Sequence, residues 1–266
     1  MRESSRLPRI LLISVVDLNP VTIKGYRVND EMELYPGGAV LLTSENVLVV
    51  ADLHLGCEAA LEYEGLSIPR VQTKKIEQYL RRTIEQISPR RLVIAGDFKH
   101  NFSRNLVQEW NDVSRFVAEL KGLVPIEAVR GNHDNYLSVI LSEYGVPFRK
   151  ELLIGGIRVA HGHSGDRRRC PTVIGHIHPS IRIRDKVGAS VKDVCFLYDP
   201  ESEMLVLPAL SLVASGLDVV RNADSDRASP LLPETGLSSF LPIVFAQEKP
   251  LRFPPISRLR ELDQQG

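Results

Sequence analysis

Short apolar runs alternate with helical patterns in the first half of the chain. Apolar residues that recur every three or four positions, as from Val71 to Ile87, predict an amphipathic helix, and runs of a few apolar residues between turn residues predict buried strands. The predicted strands are 39–42, 47–51, 92–95 and 124–129, and the predicted helices are 71–87, 105–120 and 135–144. Strands that alternate with helices need crossover connections, so we expect a mostly parallel sheet, entered by a hairpin over 39–51.

In the second half, helical spacing gives way to short strands. The apolar segments 152–154, 157–160, 172–174, 181–183, 194–198 and 204–207 are separated by turn residues. Gly155-Gly156 is typical of a tight hairpin. Strands without intervening helices predict a second, largely antiparallel sheet packed on the first. The predicted fold class is therefore α/β with two packed sheets.

The two ends of the chain differ from the middle. The apolar run over 10–16 is far shorter than the ~20 residues of a membrane span, and no small-residue cleavage site follows it. We therefore expect a cytoplasmic protein that does not enter membranes. A single domain is expected over 1–220, followed by a Pro/Ser-rich extension over 221–266. That extension is predicted to hold one docking strand at 240–245 and a mobile tail over 247–266. The segment 60–65 is expected to be a loop.

Composition narrows the class of protein. The 266 residues are 43% apolar and 25% charged, which is ordinary for a globular protein and excludes a disordered chain. Lysine and arginine total 33, as do aspartate and glutamate, so bulk attraction to nucleic acid is disfavoured, although a local basic patch is not. Cys57, Cys170 and Cys195 are widely spaced, which disfavours a disulfide framework and fits a reducing compartment.

All seven histidines lie at the ends of predicted strands or in the loops that follow. Five groups result: Asp52-Leu53-His54, Gly96-Asp97-Phe98-Lys99-His100, Gly131-Asn132-His133-Asp134, His161-Gly162-His163 and Gly175-His176-Ile177-His178. Binding sites of open α/β folds lie at the carboxyl ends of the strands. One such group alone arises by chance or serves an ordinary turn, but all five in this order predict one converging cluster.

The donors of this predicted cluster are imidazole nitrogens, carboxylates and an amide oxygen, without a thiolate. That mixture suits divalent manganese, iron, cobalt or zinc, whereas structural zinc favours cysteine. More ligand-type side chains are present than one ion needs. We therefore expect two ions that share a carboxylate, an arrangement that cleaves phosphoesters.

These groups resemble the motifs of the calcineurin-like metallophosphoesterase superfamily, which are D-x-H, G-D, G-N-H-D or G-N-H-E, a later H, and G-H-x-H. All five motifs are present between residues 52 and 178. The sequences D-L-H-L-G from Asp52, P-R from Pro69 and G-D-F-K-H from Gly96 further resemble the small phosphoesterases related to DNA-repair nucleases, including the DNA-ligase-associated members. The C-terminal third carries no such motif.

The resemblance implies a four-layer α/β/β/α sandwich of two packed mixed sheets with a two-metal site. By its motifs, the first ion is held by Asp52, His54, Asp97 and His178, and the second by Asp97, Asn132, His161 and His176. His133 is implied to contact the phosphate and protonate the leaving oxygen, and Asp134 is expected to orient its imidazole. The implied nucleophile is a hydroxide that bridges the two ions and attacks phosphorus in line.

Six further side chains close to these groups are candidate substrate contacts: Lys99, His100, His163, Arg167, Arg168 and Arg169. A cation beside the shared carboxylate favours contact with a substrate phosphate, and an arginine triplet favours a nucleic-acid backbone. The competing interpretation of each is an ordinary loop residue exposed to solvent.

The predicted function is hydrolysis of phosphodiester bonds by a nuclease or a nucleotide phosphodiesterase linked to DNA repair. The predicted cofactors are two divalent ions per chain, with Mn²⁺ preferred over Fe, Co, Ni or Zn. A phosphomonoesterase with the same metals is the alternative, and a non-catalytic scaffold is disfavoured because every ligand position and His133 are intact. The partner is a phosphoester substrate, either a nucleic acid or a nucleotide, and a homo-oligomer is left open.

Overall fold

The computed structural model describes residues 23–63, 65, 69–101, 107–184, 190–214 and 216–264. The apolar run over 10–16 and the start of the second predicted helix at 105–106 lie outside this part of the chain. All further statements concern the described residues.

Seven strands form the first sheet, in the order in which they follow each other along the chain. They are β1 (Tyr26–Arg27), β2 (Met32–Tyr35), β3 (Ala39–Leu42), β4 (Val47–Val50), β5 (Arg91–Ala95), β6 (Ile126–Val129) and β7 (Phe148–Arg149). Pairing is antiparallel from β1 to β4 and parallel from β4 to β7. The predicted hairpin and the predicted parallel strands are thereby confirmed. The pattern missed β1, β2 and β7, which are short or partly polar.

Helices connect the parallel strands. They are α1 (Cys57–Tyr63), α2 (Gln72–Ile87), α3 (Val107–Lys121) and α4 (Leu137–Glu143). The prediction of a loop over 60–65 is wrong as far as Tyr63. The sequence E-A-A-L-E from Glu58 consists of strong helix formers, and the buried Glu58 carboxylate accepts a 2.7 Å hydrogen bond from the backbone of Gln72.

The second half of the chain contains ten strands. They are β8 (Glu151–Ile154), β9 (Ile157–Ala160), β10 (Thr172–Ile174), β11 (Pro179–Arg184), β12 (Ser190–Val194), β13 (Phe196–Asp199), β14 (Met204–Val206), β15 (Leu217–Asp218), β16 (Leu241–Ala246) and β17 (Lys249–Arg252). The second large sheet has the order β17-β16-β13-β14-β10-β9-β8. It is mixed, because β10 runs parallel to both β9 and β14 while the other pairs are antiparallel.

Two predictions for this half need correction. The segment 181–183 was predicted to lie in the second large sheet, but β11 instead forms a small sheet with β12 and β15. The run 194–198 is not one strand. It divides at Cys195, whose backbone N–H donates to the Pro179 carbonyl at 3.0 Å, so Val194 belongs to β12 and Phe196 begins β13.

Alternating residues of the central strands separate the layers. On β4, Leu48 and Val50 pack against the helices, whereas Val47 and Val49 pack against the second sheet. The outer face of the second sheet carries a third cluster, which includes Leu197. Helices, two sheets and a covering C-terminal segment thus form the four layers expected, and the predicted fold class is confirmed.

The C-terminal segment supplies the fourth layer. The predicted docking strand at 240–245 corresponds to β16. The prediction of a mobile tail over 247–266 is wrong as far as Gln264, because β17 pairs with β16 and is followed by α5 (Ile256–Gln264), and 265–266 lie outside the described residues. Ile256 is fully buried, and Arg260 is ion-paired with Asp226 at 2.7 Å. Burial of Ile256 in the third cluster holds α5 against the second sheet, and the ion pair joins α5 to the segment that carries Asp226.

None of the helices in the described ranges is long and apolar enough to cross a lipid bilayer.

Candidate metal centre

The five predicted groups occupy loops at one edge of the packed sheets. Their backbones are strained, because several non-glycine residues adopt the left-handed conformation. These are Asp52, His54, Asp97, His176 and His178, with φ values of 57°, 46°, 48°, 69° and 49°. Such residues cost roughly 1–3 kcal/mol each and cluster at functional sites. The fold therefore accepts strain at the positions that aim these side chains.

Close backbone approach accounts for two of the motif glycines. A Cβ atom on Gly131 would lie 2.1 Å from Asp97 Oδ1, and one on Gly175 would lie 2.5 Å from Asp52 Oδ2. The His133 backbone N–H donates to Asp97 Oδ1 at 2.9 Å, and the His176 backbone N–H donates to Asp52 Oδ2 at 2.9 Å. The two carboxylates are thus fixed by neighbouring loops.

Asp52, His54, Asp97 and His178 form the first ligand group. One donor atom of each lies within 4.8 Å of those of the others. The His178 Nε2 atom is 3.3 Å from both Asp52 Oδ1 and His54 Nε2, and His54 Nε2 is 3.8 Å from Asp97 Oδ2. These four donors match the predicted first metal position.

Asp97 also belongs to the second ligand group, with His161 and His176, whose donor atoms likewise lie within 4.8 Å of one another. His161 Nε2 is 3.4 Å from Asp97 Oδ1 and 3.0 Å from Asn132 Oδ1. His161 Nδ1 donates to the Ala95 carbonyl at 3.0 Å, which directs Nε2 toward the cluster. The structure therefore brings together all seven predicted ligands, with Asp97 common to both groups.

The histidines differ in proton affinity. Burial lowers the pKa of His54 to about 4, and burial together with the charge of His161 lowers that of His176 to about 4. Burial also opposes protonation of His161, but its hydrogen bond with Asp97 and the charge of Asp52 outweigh burial and raise its pKa to about 9. At neutral pH, His54 and His176 are thus neutral donors, whereas His161 carries a proton that an ion must displace.

The two carboxylates stay ionised. Burial disfavours the charged form of Asp52, but His178 and His161 outweigh it and hold the pKa below its usual value. The pKa of Asp97 is also lowered, because His161 and the His133 backbone N–H overcome burial. Asp52 Oδ1 is buried, and among the described residues no donor forms a hydrogen bond with it. An anionic oxygen in this setting, beside imidazole nitrogens, fits a divalent cation.

His133 lies beside the shared carboxylate and outside both ligand groups. Its Nδ1 donates to the His100 carbonyl at 2.6 Å, and its Nε2 lies 3.9 Å from Asp97 Oδ2. Its ring lines a groove of about 540 Å³ that also borders His54 and His178. The predicted separation of His133 from the ligands is consistent with this geometry.

Asp134 does not orient the His133 imidazole, contrary to the prediction. The buried Asp134 carboxylate accepts hydrogen bonds from the backbone of Phe98 at 2.9 Å and of Gly131 at 2.7 Å. Burial and the charge of Asp97 raise its pKa to about 6. Asp134 therefore joins the loops after β5 and β6 and positions the metal ligands from behind.

Lys99 was predicted to contact substrate, and the structure turns it away. Its side chain is 1% exposed, and Nζ lies 3.7 Å from Glu109 of α3 and donates to the Asn101 carbonyl. A buried ammonium needs such partners because burial removes its hydration. Lys99 therefore anchors the loop to α3.

The other predicted contacts divide into two sets. His100 stacks on His133 with ring centroids 5.9 Å apart, and His163 lies 5.2 Å from the His161 ring, so both border the cluster. Arg167 and Arg168 are exposed and form ion pairs with Glu234 at 3.5 Å and Glu151 at 2.6 Å, respectively, and Arg169 is exposed beside them. Acidic partners compete with a phosphate for the first two arginines.

Gln72, the first residue of α2, was not predicted to contribute to the site. Its side-chain amide donates to the carbonyl of His54 at 2.9 Å, and its oxygen accepts from Ser211 Oγ at 2.9 Å and from Leu212 N at 3.0 Å. It ties a metal loop to the segment 211–213, and Val213 of that segment lines the groove. A polar residue at the start of a helix is usually exposed to solvent, so the sequence pattern does not indicate that Gln72 is buried behind the metal ligands.

Residues 45–194 match the sequence profile of the family described as calcineurin-like phosphoesterase. The crystal structure of the Pseudomonas putida nuclease MPE superposes with a TM-score of 0.61 and 17% identity, over 87% of this chain and 100% of that one. The phosphoesterase YfcE from E. coli is 16% identical, with a TM-score of 0.38 over 79% of this chain and 98% of that one. No curated protein matches the sequence. At these identities, the likeness to MPE shows the fold.

Proposed function

The chain belongs to the calcineurin-like phosphoesterases, which are metal-dependent hydrolases of phosphoesters, and on that premise we propose that it cleaves phosphodiester bonds. The proposed substrate is a nucleic acid or a nucleotide, and the nuclease activity named for MPE supports this choice. The observation that carries the proposal is the pair of ligand groups joined at Asp97, with His133 beside them.

The proposed cofactors are two Mn²⁺ ions. The first would be held by Asp52, His54, Asp97 and His178, and the second by Asp97, Asn132, His161 and His176. When bound, the ions supply positive charge to the phosphate oxygens and make water a stronger nucleophile at neutral pH. The donor set of imidazoles, carboxylates and one amide oxygen suits Mn²⁺ and discriminates weakly against Fe, Co, Ni or Zn.

The chain's own residues supply proton transfer and orientation. The His100 carbonyl accepts the His133 Nδ1 proton, which fixes the ring with Nε2 beside Asp97. When His133 is protonated, Nε2–H donates to a phosphate oxygen in the groove and passes its proton to the leaving oxygen. Asp134 holds the loops that place Asp97 and His133 next to each other.

The groove has a second wall that is apolar. It is lined by Leu61, Ile177, Val213, Ala214 and Leu217. These side chains offer no donors to phosphate oxygens, so they suit the uncharged ester substituents of a diester. A phosphomonoester carries only one such substituent, which favours the diester over the monoester.

A comparison of two chromogenic esters tests the proposal. The purified full chain with Mn²⁺ should hydrolyse bis(4-nitrophenyl) phosphate with a higher kcat/KM than 4-nitrophenyl phosphate. The Asp97→Asn variant, prepared in parallel, controls for contaminating enzymes and should be inactive on both. Turnover of the monoester alone would identify a phosphomonoesterase and contradict the proposal.

A cytoplasmic setting is also proposed. Three free cysteines, of which Cys57 and Cys195 are buried, are consistent with a reducing cytoplasm. A DNA-repair role is proposed from the motifs that resemble DNA-repair-related phosphoesterases. Cleavage of single-stranded DNA, duplex ends and RNA by the Mn²⁺-loaded chain, measured side by side, tests that role.

A further inference from the structure

A small basic pocket is formed in part by Arg130 and Asp134, which flank His133 in the chain. Its volume is about 210 Å³, and it is lined by Arg130, Asp134, Tyr136, Ser138, Phe148, Arg149 and Lys150. Arg130, Arg149 and Lys150 are exposed. The Asp134 carboxylate at its base is engaged by the backbone of Gly131 and Phe98.

Two of these cations lie at the ends of neighbouring strands of the first sheet. Val129 of β6 is paired with Arg149 of β7, and the Arg130 backbone N–H donates to the Arg149 carbonyl at 2.8 Å. Within the described ranges, no carboxylate lies at ion-pair distance from Arg130, Arg149 or Lys150. The Arg130 guanidinium donates to Asn135 Oδ1 at 3.3 Å, and this neutral partner leaves its positive charge uncompensated. An anion from outside would balance these positive charges.

Tyr136 adds an exposed ring to the pocket. It is 60% exposed and adopts a left-handed φ of 65° at the start of α4. A large non-glycine residue in that conformation is strained, and such strain clusters at functional sites. An exposed aromatic ring beside cations is a platform on which nucleobases stack.

One loop contributes to both the pocket and the groove at the metal centre, because Asp134 lines the pocket and the preceding residue, His133, lines the groove. His133, which lines the groove at the metal centre, is three residues from Tyr136, a stretch of chain that spans at most about 10 Å. A strand bound at the ligands can therefore reach the pocket.

We propose that this pocket binds the phosphate adjacent to the cleaved bond in a single-stranded nucleic acid, with a base against Tyr136. The proposal rests on the proposed phosphodiesterase function and narrows its substrate to a strand with at least two phosphates. It also assigns the contacts with the nucleic-acid backbone to Arg130, Arg149 and Lys150 instead of Arg167–Arg169. A single strand is required because bases in a duplex are already stacked on each other.

The ratio of two catalytic efficiencies tests the proposal. The kcat/KM for a 12-nucleotide oligothymidylate is divided by that for bis(4-nitrophenyl) phosphate, which has a single phosphate. In the Arg149→Gln, Lys150→Gln double variant, this ratio should fall about tenfold. The salt dependence of oligonucleotide binding should also weaken by a slope of about 0.7, for one lost single-strand phosphate contact.

A matched double variant, Arg168→Gln with Arg169→Gln, makes the same charge change in the arginine triplet and should alter the ratio less than twofold. Tyr136→Gly relieves the left-handed strain while removing the ring, so its ratio should fall about fivefold without a loss of folding. Tyr136→Phe, which keeps the ring, should restore the ratio.

Binding of a fluorescent oligothymidylate to the full chain in EDTA, measured by anisotropy, gives a readout without turnover. Wild type should bind more tightly than the Arg149→Gln, Lys150→Gln variant. Equal binding, an unchanged ratio, or a larger effect from the arginine triplet would overturn the pocket's role. Absence of any diester turnover by wild type would instead overturn the proposed function, while the anisotropy comparison still tests the pocket.

Discussion

The two ligand groups of the metal centre are built from different parts of the fold. The first takes only His178 from the second half of the chain, and its other ligands follow strands of the first sheet. The second combines Asp97 and Asn132 from the first sheet with His161 and His176 from the second. The first group is thus formed mainly by one sheet, whereas the second exists only where the two sheets pack together. Asp97 alone belongs to both.

Replacing Asp97, the residue that both ligand groups share, should affect the two metal positions equally. Asp97→Asn deletes the anionic bridge, so both ions should be lost and activity should fall on the order of 10⁴-fold, since each ion contributes several kcal/mol to the transition state. Metal analysis after gel filtration measures the loss. Asp199→Asn changes another buried carboxylate, which is bonded to Ser202, and should keep both ions. If the Asp97→Asn variant retained one ion, Asp97 would be a ligand of only one of the two metal positions.

His133 should affect turnover without affecting either group. His133→Ala removes the proposed proton donor and should lower kcat by about 10²–10⁴-fold on diesters. The metal content should stay at the wild-type level, because His133 is outside both ligand groups. Loss of metal from this variant would mean that His133 is itself a ligand.

The pH dependence of metal binding should reveal the protonation of His161, a member of the second ligand group. Its pKa of about 9 means that it is protonated at neutral pH in the metal-free chain, so an ion must displace that proton. Affinity for the second ion should therefore rise about tenfold per pH unit from pH 6 to 8 and fall as the pH falls.

Calorimetry in two buffers of different ionisation enthalpy should show about one proton released from His161 at pH 7. His176, with a pKa of about 4, should release none. A pH-independent affinity would indicate that His161 is neutral before the ion binds.

The smallest expected effect concerns Gln72, which supports the first group through the His54 carbonyl. Gln72→Leu should weaken the first ion about tenfold, which is typical when a residue that supports a metal ligand is lost, and should leave the second ion nearly unchanged. Ser211→Ala removes only one partner of Gln72 and serves as the milder control. Metal titrations of both variants measure the two affinities. Equal weakening of the binding of both ions would show that Gln72 stabilises the fold as a whole rather than the first ligand group.

The convergence of the candidate metal ligands was predictable because the information for it is local. Each strand end carries its own Asp, Asn or His, and parallel neighbouring strands bring their ends to one edge whatever the loop details. The layer pattern was also predictable, since Val47 to Val50 alternate between two cores.

Other features depend on contacts between distant segments, which periodicity does not record. Lys99 reads as an exposed loop cation until Glu109 of α3 is placed beside it. Asp134 seems paired with its neighbour His133 in sequence, yet its bonds run to the loop after β5. The polar C-terminal segment has the sequence pattern of a mobile tail, but β17 pairs with β16 and Ile256 is buried in the third core cluster. Each of these requires the tertiary fold.

Electron paramagnetic resonance of the chain loaded with two equivalents of Mn²⁺ tests most directly whether Asp97 joins two metal positions. Ions that share a carboxylate lie ~3.5–4 Å apart and are magnetically coupled. The spectrum should therefore show the multiline signal of a coupled pair, and the six-line signal of isolated Mn²⁺ should be absent. A six-line spectrum alone, or saturation at one equivalent, would contradict a shared centre.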